Sequence, residues 1–313
     1  MYRYLLLFLL IYSCKSTDAS ITPEAEAYID EVITVMQVNS VNREKIDWQD
    51  FKSKVKGQAA KAKTIADTYP SIHYAIKMLG DGHSYFAPVN DDESNDKEPP
   101  VLADENVPKD IGYIRVRYCM GSEEQKKEYT RVLISDIEKR DNENLKGWVV
   151  DLRGNFGGDM SPMLLGLGSI LGNGVYGYTA YPDKIFYSWN YNNGAFILEG
   201  EENDLQVKGI YRIKKEDPYI AVLTDTLTAS SGEAVAIAFK GRGKTKSFGW
   251  KTYGVSTSNQ GFTLSDGSRM LLTVAVFADR NKHLYGGPVI PDVIVEPDKA
   301  LYDAIQWLND QNK

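Results

Sequence analysis

Hydrophobic and polar positions change rhythm along the chain. Tyr28, Val32, Val35 and Met36 recur at helical spacing behind Thr22-Pro-Glu-Ala-Glu, where a capping threonine, a proline at the first helical position and first-turn acids favour a helix start. A second helical stretch follows Asn42-Arg-Glu-Lys-Ile-Asp-Trp, and a third is expected from about Gln58 to Leu79, so residues 22–82 read as an N-terminal helical module. Residues 83–110 then form a connector, most of it the acidic, Pro-ended Asp91-Asp-Glu-Ser-Asn-Asp-Lys-Glu-Pro-Pro, which has no apolar periodicity. From Ile111 the rhythm is different. Ile111-Gly-Tyr-Ile-Arg-Val alternates like a strand, 123–140 is an amphipathic helix, and Gly147-Trp-Val-Val-Asp is a buried strand.

This β-α-β order continues. A glycine-rich turn at Gly154–Gly158 leads into a helix ending near Leu171, and an aromatic stretch punctuated by Gly and Asn suggests hairpins up to Arg212. Tyr219-Ile-Ala-Val-Leu-Thr is a strand, Gly232–Lys240 a helix, and Thr245-Lys-Ser-Phe-Gly, Ser268–Ala278 and the region of Val293 are further strands. Strands alternating with helices predict an α/β core over 111–300, with a possible β-rich cap at 172–215 and a C-terminal helix at 301–313.

The first residues follow another pattern. Arg3 precedes an apolar run from Tyr4 to Tyr12, about half of the roughly 20 residues a membrane-spanning helix needs. Residues 1–13 therefore read as a secretory signal peptide. Ile11-Tyr-Ser-Cys resembles a lipobox, which would make Cys14 the lipidated first residue of the mature protein, with 14–21 as a tether; Tyr12 is larger than the residue usual there. Lipidation of Cys14 would leave Cys119 alone and preclude an intrachain disulfide. Either way an exported envelope protein is expected, with plain secretion as the alternative to a lipid anchor.

Composition narrows the chemistry. The 313 residues carry 36 Lys and Arg against 43 Asp and Glu, a net charge of −7, which argues against nucleic acid as a partner. Two Cys and three His leave no material for a C-x-x-C or H-E-x-x-H zinc site, so no metal or cofactor is expected, and imidazole chemistry must use His73, His83 or His283. Gly172-Asn-Gly-Val-Tyr-Gly fits G-x-G-x-x-G but follows a helix and precedes strands, the reverse of a dinucleotide site. The nucleophile elbow G-x-S-x-G is absent from the sequence.

Three segments remain: Gly80-Asp-Gly-His-Ser, Asp151-Leu-Arg-Gly-Asn-Phe-Gly-Gly and Thr228-Ala-Ser-Ser-Gly-Glu. The last lies between a strand and a helix, so a hydroxyl there sits beside a helix N-terminus whose free N–H groups favour a developing negative charge. A serine hydroxyl needs a base, and His83, in a Gly-flanked turn expected to be exposed, has a suitable ordinary pKa. Taken on spacing alone, Thr-Ala-Ser-Ser reads first as a helix cap and Gly157-Gly158 as a tight turn.

In their joint order these segments, with Gly249-Trp-Lys-Thr-Tyr-Gly and Val289-Ile-Pro-Asp, resemble the tail-specific, or C-terminal processing, serine peptidases, the superfamily that includes tricorn protease and the nisin resistance protein. The likeness covers about 22–298. It implies a crotonase-like core of the ClpP and tail-specific protease kind, a central β-sheet with flanking helices. It also implies Ser230 as nucleophile, His83 as general base, and an oxyanion hole from the N–H of Ser231 and a glycine of the Gly157-Gly158 turn. The expected substrate is an extended peptide or the C-terminal tail of a protein.

Departures from that pattern set the subtype. The position of the lysine in Ser/Lys processing peptidases is Val255 here, which disfavours that dyad, and the 27 residues between His83 and Ile111 leave no room for a PDZ domain. Tricorn-like members carry a Glu shortly before the final Pro-Asp, whereas Tyr285-Gly-Gly-Pro-Val-Ile-Pro-Asp has none. Glu233, one helical turn past Ser230, is then the candidate to support His83, with simple stabilisation of its own helix as the alternative. The nisin resistance protein type without a PDZ domain matches best. A catalytically inactive ligand-binding envelope lipoprotein on the same fold is the rival reading.

Overall fold

The computed structural model describes residues 20–89, 102–202, 211–311 and 313. The expected signal peptide, Cys14 and the acidic loop at 91–100 lie outside the described residues. Three helices come first: α1 (Pro23–Asn39), α2 (Trp48–Gln58) and α3 (Tyr69–Leu79). Thr22 caps α1 by accepting the Ala25 N–H at 3.3 Å, and Asp47 caps α2 by accepting from Gln49 and Asp50. The third helix starts later than the expected Gln58. Pro70 suits only a first turn, and the Asp67 carboxylate takes the N–H groups of Lys63 and Thr64, both at 2.9 Å, in a separate turn before it.

Strand β1 (Tyr85–Ala87) follows, and then β2 (Ile111–Arg115), α4 (Glu123–Arg140) and β3 (Gly147–Asp151). Ser122 and Gln125 close a capping box at the start of α4, which fixes where that helix begins. Behind the glycine turn lie α5 (Met160–Gly166) and α6 (Gly168–Leu171). Next come β4 (Gly174–Ala180), β5 (Phe186–Asn192), β6 (Ala195–Leu198) and β7 (Glu201–Glu202). The chain continues with β8 (Ile220–Thr224), α7 (Ser231–Phe239), β9 (Thr245–Gly249), β10 (Thr257–Thr263), β11 (Arg269–Asp279) and β12 (Val293–Ile294). Helix α8 (Pro297–Asp310) starts ahead of the expected residue 301, with a proline in its first turn.

Five of these strands form a parallel sheet in the order β12-β9-β8-β3-β2. Both faces are covered. Tyr113, Val149 and Leu223 pack on Ala300, Ala304 and Leu308 of α8, while Ile114, Trp148, Val150 and Val222 meet α4, α5 and α7 on the other side. This is the expected α/β core with flanking helices. The second sheet is antiparallel, β1-β11-β4-β5-β6-β7, with β10 also paired to β11. The polar run Thr257-Ser-Asn-Gln-Gly-Phe-Thr shows no apolar alternation, and it is a strand because β11 offers it a ladder. One end of β11 packs on the N-terminal helices through Met270, Leu272 and Val274; the other joins the main core through Phe277.

Part of the aromatic stretch is committed to the core. Tyr176, Trp189, Tyr191 and Phe196 are buried in the main core, and the Trp189 indole donates to Thr179 Oγ1 at 2.9 Å. Among the described residues no helix is long and apolar enough to cross a membrane.

Candidate active site

The three motifs converge at the carboxyl ends of β3 and β8. Leaving β3, Asp151 takes the Arg153 guanidinium on both oxygens and the Tyr113 hydroxyl at 2.8 Å, so the turn departs from the sheet in a fixed direction. The turn is then bonded to the loop after β8. Asp225 accepts the Gly154 N–H at 3.1 Å, the Thr228 hydroxyl donates to Leu152 O at 2.9 Å, and the Ala229 N–H donates to Asn155 O at 2.9 Å. Asn155 is central to this stitching. Its amide donates to the carbonyls of Val116 and Arg117, and its Oδ1 accepts the Gly157 N–H at 3.0 Å.

Ser230 stands directly before α7 with φ 52° and ψ −118°. A non-glycine residue with positive φ away from the αL well is strained, and such strain collects at functional positions. A Cβ on Gly157 would lie 2.9 Å from Ser230 Cβ and 3.1 Å from Ser231 N, which shows how closely the glycine backbone approaches the serine. Gly157 and Gly158 adopt φ of 117° and 103°, values that other residues rarely reach. The Ser231 hydroxyl donates to Gly158 O and locks the two turns together. Among the described residues, neither the Ser231 N–H nor the Gly158 N–H has a hydrogen-bond partner.

The histidine comes from the other side. In the turn after α3, Asp81 Oδ1 accepts the N–H groups of His83 at 2.9 Å and Ser84 at 2.7 Å. Asp81 also accepts from Thr273 of β11, which anchors the turn to the antiparallel sheet. His83 Nδ1 lies 2.7 Å from Thr257 Oγ1. The ring is half-buried rather than exposed, and burial holds its pKa below the ordinary 6.5, with the Asp81 charge opposing. Ser230 and His83 line one cleft of about 740 Å³, together with Ser231, Gly158, Met120, Phe156, Leu198, Glu199 and Thr257. His73 on α3 and His283 after β11 are not among its lining residues.

One expected role changes and another narrows. Glu233 does not reach His83: its fully buried carboxylate accepts the N–H groups of Ser230, Gly254 and Val255 and the hydroxyl of Thr252. Burial raises its pKa and the four donors oppose the rise. The Gly157 N–H is likewise committed, to Asn155, so within the glycine pair it is Gly158 that has an unused donor. The sequence patterns do not single out Thr257, Asn155 or Asp81. Asp81 carried a local signal, an Asx-type turn two residues before the histidine.

A parallel-sheet core with a strained serine at a helix start, and a histidine lining the same cleft, has the elements that a serine-type peptidase uses. A profile of Peptidase family S41 matches residues 110–295, more than half of the chain, and the chain belongs to that family. It is 30% identical over 296 residues to the nisin-resistance protein of Lactococcus lactis subsp. lactis, covering 94% of this chain and 90% of that relative. A lipoprotein from Streptococcus agalactiae shares the fold at a TM-score of 0.77 and 23% identity, over 98% of this chain and 100% of the other. The photosystem II D1 C-terminal processing protease does so at 0.60 and 14%, over 88% and 94%. The likeness to tail-specific peptidases expected from the motifs is thus borne out.

Proposed function

We propose that the protein cleaves peptide bonds with a Ser/His centre through an acyl-enzyme, acting on an extended peptide or the C-terminal tail of a protein. The single observation that carries this reading is the shared cleft, in which Ser230 and His83 stand with two unused N–H groups beside the serine. Ser230 Oγ attacks the carbonyl carbon as its proton passes to His83 Nε2. The N–H groups of Ser231 and Gly158 receive the oxyanion. The C–N bond then breaks as His83 protonates the leaving amine, and water repeats the sequence on the acyl ester.

A lysine base is disfavoured. The lysine among the cleft residues, Lys126, is held by Glu123 and Asp159, each at 2.9 Å, and both partners keep it protonated well above the ordinary lysine range. Substrates of the nisin-resistance kind, export, and lipid anchoring through Cys14 belong to the same proposal. They are supported by the name of the L. lactis relative, by the lipoprotein neighbour and by Ile11-Tyr-Ser-Cys. Reaction with a fluorophosphonate and mass mapping of the adduct test the centre. The adduct should fall on Ser230 and disappear in Ser230→Ala and His83→Ala. A folded protein that never reacts while a control peptidase does would support the ligand-binding alternative instead.

A further inference from the structure

We propose that Thr257 is the positioning residue of the base: its hydroxyl holds the His83 ring by Nδ1, in the role a carboxylate plays in a Ser-His-Asp triad, and leaves Nε2 free to accept the serine proton. The proposal rests on the Ser230/His83 reading above.

The contact is short, 2.7 Å, and both of its ends are fixed. Thr257 is 4% exposed and opens β10, where its own N–H donates to Val255 O at 2.7 Å. Among the described residues the imidazole has no other hydrogen-bond partner. With the ring Nδ1–H donating across the contact, the threonine hydroxyl can direct its own proton toward the Val255 carbonyl, 3.5 Å away. That tautomer presents a lone pair at Nε2, as a general base requires.

The surrounding strand is shaped for this. The β10/β11 register shifts between Ser258 and Asn259, and the Asn259 amide donates to the His83 carbonyl at 3.2 Å. Side chains of one strand thus hold both the ring and the backbone of the base. The hold also reaches the nucleophile, because Glu233 binds the N–H of Ser230 at 2.9 Å and that of Val255, two residues before Thr257, at 2.8 Å. A neutral hydroxyl fixes rotation and tautomer but adds no negative charge against an imidazolium. The charged groups around His83 are Asp81 in its own turn, with Lys126 of α4, Asp159 before α5 and Glu199 after β6 in the cleft; β10 and β11 contribute the uncharged Thr257, Asn259 and Thr273.

The test uses the full chain with Thr257→Val and Thr257→Ser, a fluorophosphonate as probe of Ser230, and imidazole 15N NMR of His83. Thr257→Val should slow labelling about 10- to 100-fold, less than the 100- to 10,000-fold a general base itself supplies. It should also shift the acid limb of the labelling rate to lower pH and populate the other ring tautomer. Thr257→Ser should restore rate and tautomer. Labelling of the folded valine variant within about twofold of the unaltered protein, or an unchanged Nδ1–H tautomer in that variant, would overturn the proposal. If the unaltered protein does not react at all, the Ser/His reading fails, and the tautomer measurement still decides the role of Thr257.

Discussion

The Glu233 carboxylate accepts the backbone N–H of Ser230 at 2.9 Å, so the strained residue ahead of α7 is held by the helix it precedes. The same group ties down Thr252, Gly254 and Val255 and has no exposed surface. It is a structural hub between the serine loop and the segment that leads into β10.

Glu233→Ala should therefore cost more than an ordinary core truncation. It leaves three N–H groups and a hydroxyl without their acceptor, and each unsatisfied buried group costs about 1–3 kcal/mol, so a total loss of at least about 3 kcal/mol is expected. Glu233→Gln keeps one acceptor oxygen and should lose less. Burial raises the folded carboxyl pKa above 4.5, so just above that value the native state binds more protons than the unfolded chain. The contribution of this group to stability then falls as pH rises through the window between the unfolded and folded values, and that slope should vanish in Glu233→Gln. Urea unfolding across pH measures both effects; a loss below about 1 kcal/mol in Glu233→Ala contradicts the first.

The pH dependence of activity has a definite sign. Burial lowers the His83 pKa below 6.5, and in the proposed mechanism the ring accepts a proton only when neutral. The acid limb of kcat/KM should lie below 6.5, and Asp81→Asn should move it lower still, because the Asp81 charge is what raises that pKa. The same shift makes His83 a group whose contribution to stability is lost as pH falls below 6.5 toward the folded value. A limb above 6.5 would mean that another group sets it.

The two glycines of the turn differ in what a side chain would meet. A Cβ on Gly157 meets Ser230 Cβ at 2.9 Å, so Gly157→Ala should displace the serine and cut labelling about 100-fold, the effect of losing transition-state stabilisation. A Cβ on Gly158 would overlap Cys119 O, across the bridge that joins the turn to residue 119. Both substitutions add the strain of a positive φ, but Gly158→Ala should accordingly lower the melting temperature more, as well as activity. The two variants are compared by thermal unfolding beside the labelling rate, and equal melting losses would refute the distinction.

What sequence reading found and what it missed divide along local and long-range order. The boundaries of α4 were legible because Ser122 and Gln125 cap it from within one turn, and β3 and β8 because their residues are apolar without a break. Ser230, Ser231, Gly158 and His83 each sit in a turn that small residues mark. Thr257 lies 174 positions from His83 in a polar strand, and only the pairing of β10 with β11 brings it there. Glu233 was visible as a helix-start acid, but the partners that fix its role, Thr252 to Val255, arrive through tertiary packing.

The backbone of Ser230 itself supplies a stability test. With φ 52° and ψ −118° it occupies a region that costs a residue with a Cβ about 1–3 kcal/mol and glycine far less. Ser230→Gly should abolish fluorophosphonate labelling and yet stabilise the fold by about 1 kcal/mol, after the greater entropy of glycine in the unfolded chain offsets part of the relief. Ser230→Ala removes the hydroxyl but keeps the Cβ, so it should be equally inactive and gain little. The comparison isolates backbone strain from loss of the hydroxyl, since both variants lose the same Oγ. Denaturant melts of the pair measure it: a glycine variant no more stable than the alanine variant would show that the serine conformation carries no strain.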